Sequence, residues 1–284
     1  MEVSRPYVFQ CDADIVKQVY RNNNNYLIEF NETNKSNNIC AIYFSSNDIY
    51  YPNSEEVFRK RILEKNSYEW YGTRIRDAYK HIFVRDIQKQ WYLGGINETI
   101  GSIEKLYEFL LRETDGYKTV TLGSSAGGYA AVLFGAQLNA SKILTFNGQF
   151  EIESLLYSSK VERNPLLFEY ANTQTFRYYD LKRVVTLSNK IFYFLSLNSL
   201  WDIAQFRHIK GFGQLNVIGF NTSHHGIPFL KAALPDVINL SVEELSKLAK
   251  RQYSPFLFTI RMIGFTQTIY EFFNQFYAKY KRRN

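Results

Sequence analysis

The chain has 284 residues, 45% hydrophobic and 21% charged, the make-up of one large globular domain or two small ones. Its two cysteines, Cys11 and Cys40, are too few for a disulfide framework and are not spaced as metal ligands. No run approaches the roughly 20 apolar residues needed to cross a bilayer. The opening Met1-Glu2-Val3-Ser4-Arg5-Pro6 lacks the basic-then-apolar pattern of a secretory signal, so a cytoplasmic protein is expected.

A net charge of +7 favours an anionic partner, such as a phosphate-bearing lipid or an acidic glycan; nucleic acid is not expected. The aromatic share is 17%, with 22 Tyr and 23 Phe, enough for part of the surface to be apolar.

Apolar runs alternate with helical patterns along the chain, which predicts a three-layer α/β/α sandwich around a mostly parallel sheet. Asparagine clusters at 22–25 and 37–38 read as turns. Residues 26–30 and 40–44 are strands, the second ending in Ser45-Ser46-Asn47-Asp48, and a helix is predicted over 54–71. The strand 81–84 ends at Arg85-Asp86 and leads into a loop with Trp91-Tyr92 and Gly94-Gly95. Asn97 is the expected cap of a helix over 98–112. Then follow the strand 119–122, a glycine-rich turn, a small-residue helix over 127–138 and the strand 143–146.

Residues 151–189 are polar and aromatic without strong periodicity and could form a cap or lid over a site. Strands are predicted at 191–197 and 215–220, which closes a domain over 1–254. After Pro255, Phe258, Met262, Phe265, Ile269, Phe272, Phe273, Phe276 and Tyr280 recur at steps of three and four. They predict one amphipathic helix over 255–284 with a basic end, Lys279-Tyr280-Lys281-Arg282-Arg283. Such a helix docks on the core, on a partner, or peripherally on the inner face of a membrane.

The chemistry centres on Gly123-Ser124-Ser125-Ala126-Gly127-Gly128. A serine needs a base to take its proton and donors to hold the oxyanion. Gly-x-Ser-x-Gly after a strand and before a helix lifts the hydroxyl off the sheet edge, which makes Ser125 the candidate nucleophile. Ser124 is its rival, and a purely structural or phosphate-binding turn is the bland alternative. The dinucleotide fingerprint and the Gly-Lys-Ser/Thr ending of a P-loop are missing, and no cofactor is expected.

Of four histidines, His224 and His225 lie in the loop after the last predicted strand, where a base belongs. His225 is preferred because Gly226 lets its loop turn the ring inward. A metal site at the pair is not favoured, since no carboxylate or cysteine lies near it in sequence. Asp202 is the candidate orienting acid and also a candidate helix cap, with Asp180 and Asp236 as rivals. The N–H of Ala126 is one expected oxyanion donor, and that of Ser46 or Asn47 the other. Arg85 and Asp86 could form a structural ion pair. Alternatively Arg85 could meet an anionic substrate, with Trp91 stacking on a sugar ring and His224 alongside.

The order of these residues along successive strand ends resembles the α/β-hydrolase superfamily over residues 26–240. More narrowly, Phe83-Val84-Arg85-Asp86 with Trp91-Tyr92, and Gly123-Ser124-Ser125-Ala126-Gly127-Gly128-Tyr129-Ala130-Ala131, are similar to two groups within it. These are hydrolase-like proteins of bacterial capsule and surface-polysaccharide clusters, and the serine acyltransferase of the accessory secretion system. The resemblance implies an esterase or O-acyltransferase acting on a glycan or glycoconjugate. The histidine-glycine oxyanion motif of lipases is missing. Two other classes remain open: a non-catalytic assembly protein of polysaccharide biosynthesis, and a glycan transferase that uses the glycine turn for a nucleotide sugar. Oligomeric state is not legible.

Overall fold

The computed structural model describes residues 6–281, with side chains up to 274. The expected sandwich is what forms. One eight-stranded sheet runs in the order β1-β3-β2-β4-β5-β6-β7-β8. The strands are β1 (Tyr26–Phe30), β2 (Ile39–Phe44), β3 (Lys80–Val84), β4 (Lys118–Ser124), β5 (Lys142–Phe146), β6 (Ile191–Ser196), β7 (Leu215–Phe220) and β8 (Arg251–Tyr253). Only β1 is antiparallel, pairing Tyr26 with Val84 and Phe30 with Lys80. The short edge strand β8 has no apolar run to announce it and pairs with Ile218 to Phe220 of β7.

Alternation along the strands splits the core in two. On one face Cys40, Ile42, Phe44, Ile143 and Tyr193 pack under helices α1 (Ile103–Glu113) and α2 (Ala126–Gln137). On the other, Tyr43, Phe83, Leu122, Phe146 and Phe194 pack under α4 (Val242–Leu248) and α5 (Pro255–Ile263), which follow α3 (Leu200–Ile209) in the chain.

Four predicted elements differ. The helix expected over 54–71 is capped by Ser54 but passes at Phe58 into a π turn, Arg59–Glu64, and stops. Asn66 and Trp70 then take positive φ, and the Trp70 indole N–H donates to Phe44 O at 3.1 Å, folding this stretch over the sheet edge. Asn97 does not cap α1: its Oδ1 accepts from Ile100 N in a preceding turn, and Ser102 caps the helix at Lys105 N. Residues 151–189 form short helical turns, and Leu167, Tyr178, Tyr179 and Leu181 pack into the α1/α2 face of the core.

The amphipathic tail is two helices, α5 and α6 (Phe265–Lys281), broken at Gly264, whose φ of 83° suits glycine. Phe258 of α5 is buried against Phe220, Phe229 and Tyr253, so the core extends past residue 254. The side chains of Phe276 and Tyr280 and the basic end lie outside the described residues.

Burial gives one prediction here. Tyr43 Oη accepts from Ile75 N and is hydrogen-bonded to His81 Nδ1 at 2.9 Å, and burial brings the His81 ring down to about 4. Below pH about 6.5 the unfolded chain holds a proton on this ring that the folded chain lacks, so stability falls as pH drops from there toward 4. In His81→Asn, which keeps an acceptor but cannot titrate, the stability lost between pH 7.5 and 4.5 shrinks by on the order of 2 kcal/mol. Urea midpoints at the two pH values measure it, and an unchanged gap would refute the assignment.

Candidate active site

Ser125 sits at the junction of β4 and α2 with φ 54° and ψ −121°, a conformation sparsely populated by L residues. Two hydrogen bonds hold it there: Ser125 N to Phe146 O at 3.0 Å and Tyr129 N to Ser125 O at 3.0 Å. The flanking glycines are needed for space. A Cβ on Gly127 would lie 2.4 Å from Phe44 O, and one on Gly123 would lie 2.1 Å from Gly127 O. The result is a sharp strand-to-helix turn that presents the serine hydroxyl at the C-terminal sheet edge.

His225, in the loop after β7, reaches that hydroxyl. Its Nε2 lies 2.8 Å from Ser125 Oγ, and its Nδ1 lies 2.8 Å from Asp202 Oδ1. Asp202 is 1% exposed in the first turn of α3, where the helix N-terminus favours a negative charge. It does not cap that helix; Ser199 does, accepting from Asp202 N. Trp201 stacks on the His225 ring at 5.4 Å and 17°. The histidine loop is anchored by Asn147, which donates from Nδ2 to His224 O at 3.2 Å and Gly226 O at 2.9 Å.

The rivals are engaged elsewhere. Asp180 pairs with His208 at 2.9 Å and Asp236 with Arg76 at 2.5 Å. His224 is exposed on the wall of a cavity of about 370 Å³ that also meets His225, Ser124, Ser46, Glu69 and Lys231.

Two expected substrate contacts are corrected. Arg85 is 1% exposed and forms no pair with Asp86. Its guanidinium lies over the Tyr68 ring and donates to Asn25 Oδ1 and Ser67 O, both at 3.1 Å. Asp86 instead accepts four backbone N–H groups, from Gln88, Lys89, Gln90 and Tyr92, and so folds the loop that carries Trp91. Trp91 is buried, not open to a sugar ring, and its indole N–H donates to Gln149 Oε1 at 3.2 Å.

Gln149 has no motif around it, and sequence reasoning missed it. Its Nε2 donates to Ser125 Oγ at 3.1 Å. An indole can only donate, so Trp91 fixes which end of the amide faces the serine.

The oxyanion expectation also changes. Ala126 opens α2, so its N–H has no partner within the helix. The N–H of Ser46 is taken: it donates to Glu69 Oε2 at 2.5 Å, a carboxyl that burial pushes up. Asn47 N–H makes no hydrogen bond among the described residues, so only the Ser46 expectation is corrected.

Sheet order, the single antiparallel strand, and the meeting of Ser125, Asp202 and His225 from the turns after β4, β6 and β7 together decide the architecture. The fold is that of the α/β-hydrolases.

No known family model and no curated protein sequence matches the chain. Among solved structures, the chain is similar to a capsule O-acetyltransferase of Neisseria meningitidis serogroup A, in complex with caged gadolinium. It is 13% identical, with 69% of this chain and 84% of that one covered and a TM-score of 0.45. An S-formylglutathione hydrolase from Agrobacterium tumefaciens is 14% identical over 78% and 89%, at 0.46. A lipase-esterase related protein from Clostridium acetobutylicum is 16% identical over 78% and 98%, at 0.41. None of these likenesses bears on what this chain acts on.

Proposed function

We propose that the protein is a serine esterase or O-acyltransferase acting on an ester of a glycan or glycoconjugate. The observation that carries the reading is His225, bridging Ser125 Oγ and Asp202 Oδ1 at 2.8 Å on each side. Ser125 Oγ attacks the acyl carbon while its proton passes to His225 Nε2. Asp202 holds Nδ1–H, sets the tautomer and stabilises the imidazolium. The tetrahedral oxyanion is met by Ala126 N–H and, in place of Ser46 N–H, by Gln149 Nε2. Its collapse expels the alcohol, which takes the proton from His225, and leaves an acyl group on Ser125. Water or a sugar hydroxyl, deprotonated by His225, then attacks the acyl carbon and restores the serine.

A fluorophosphonate probe tests the assignment directly. The adduct is expected on Ser125, located by peptide mass spectrometry. A folded protein that takes no label would instead be a non-catalytic assembly protein carrying the same fold.

A further inference from the structure

The π turn that interrupts the predicted helix has a chemical consequence. In a continuous α-helix Lys60 and Lys65 would point about 140° apart. Here Lys65 N bonds back five residues to Lys60 O at 3.2 Å, which winds the turn wider and brings both to one side. They line a groove of about 470 Å³ with Tyr51, Val57, Arg61 and Ser67. Arg61 and Ser67 are also walls of the cavity at His225, so the groove adjoins that cavity.

The three cations are exposed, and among the described residues none makes an ion pair within 4.0 Å. Their neighbour Arg59, by contrast, is paired with Glu55 at 2.6 Å. Tyr51, 73% exposed at the groove, offers an aromatic face of the kind that packs on a sugar ring.

We propose that this groove binds the anionic stretch of a glycan chain, bearing phosphate, sulfate or carboxylate groups, and feeds its esterified residue to Ser125. The second half rests on the serine-enzyme reading; binding in the groove does not. The test uses the full chain with Ser125→Ala and two labelled probes, a heparin hexasaccharide and neutral chitohexaose, followed by fluorescence anisotropy.

The anionic probe is expected to bind, and Lys60→Glu with Lys65→Glu to weaken it by about tenfold or more. The same charge change placed on helices that pack in other parts of the core, Lys105→Glu with Lys247→Glu, is expected to alter it less than about threefold. Equal losses in the two double variants, or equal binding of the neutral probe, would overturn the proposal. A second arm, with Ser125 intact, asks whether the heparin probe competes with p-nitrophenyl acetate hydrolysis. Groove-dependent binding without any hydrolysis would sink the catalytic reading and leave the groove standing.

A separate observation concerns α6. Phe265, Tyr270 and Phe273 are 64%, 61% and 64% exposed, and Phe272, which meets Phe256, is 43% exposed. Phe265, Phe272 and Phe273 fall on one helical stripe with the half-buried Ile269 between them, and the buried Thr268 borders it. We infer that this stripe lies on an anionic bilayer surface, since the sequence continues into Lys279-Tyr280-Lys281-Arg282-Arg283 and the net charge is +7. Among the described residues no helix is long and apolar enough to cross a membrane.

Removing residues 255–284 would strip Phe258 from the core, so point variants make the better test. The wild type is expected to pellet with vesicles of mixed phosphatidylglycerol and phosphatidylcholine, less with phosphatidylcholine alone. Phe265→Ser with Phe273→Ser should stay in the supernatant at an unchanged melting temperature. Equal pelleting of both proteins refutes the inference. So does a change of oligomeric state in the variant without a change in vesicle binding.

Discussion

Ser125→Ala is expected to lower kcat for p-nitrophenyl acetate by about 10⁴- to 10⁶-fold, and His225→Ala by a similar factor. Their combination should cost little more than either alone, because nucleophile and base act as one unit. Asp202→Asn should cost about 10⁴-fold while the ring stays in place, since an amide cannot hold Nδ1–H as a carboxylate does. The losses should appear in kcat, with KM nearly constant and each variant folded. The geometry makes this demand strict. Asp202 is buried at a helix N-terminus and its Oδ1 points at one imidazole nitrogen, so no other described carboxylate can take its place at 2.8 Å. Ser124 is the alternative nucleophile, and retention of most activity in Ser125→Ala would move the chemistry there.

Gln149→Leu is expected to lower kcat by about 10²- to 10³-fold with little change in KM, the usual cost of losing one oxyanion donor. The residue is 1% exposed, and leucine fills its space without the Nε2 donor that lies 3.1 Å from Ser125 Oγ. Fluorophosphonate labelling of Ser125 should survive in this variant but slow down, which separates a missing donor from a collapsed site. On the proposed mechanism Trp91 acts through Gln149, as a positioning residue. Trp91→Phe removes the indole N–H that orients the amide, worth about 1 kcal/mol, so kcat should fall by roughly three- to tenfold. Unchanged kcat in Gln149→Leu would return the second donor to the loop after β2, to Asn47 N–H, or to Ser46 N–H once Glu69 leaves it.

The candidate nucleophile was legible because its signature is local. A strand, a serine between two glycines and a small-residue helix are contiguous, and Gly123 and Gly127 are needed by the very contacts the turn makes. Asp202 and His225 were legible for a related reason: in a parallel sheet, turns after successive strands return to one edge, so chain order carries spatial information. The sandwich itself followed from apolar strands alternating with helices, a pattern that burial on both faces imposes on the sequence.

Only the tertiary structure decided the rest. Gln149 and Trp91 lie 58 residues apart and meet because neighbouring sheet-edge loops converge, which no spacing encodes. Arg85 beside Asp86 reads as a surface pair, and its burial is set by Tyr68, Asn25 and Ser67, from two other segments. An apolar period of three to four does not separate an α from a π turn, nor does it reveal a break at Gly264, because hydrophobic spacing carries no backbone angles. Ser125 as nucleophile could therefore be argued from the residues around it. The Gln149 contact to Ser125, the cationic groove and the exposed stripe of α6 depend on which distant segments the folded sheet brings together.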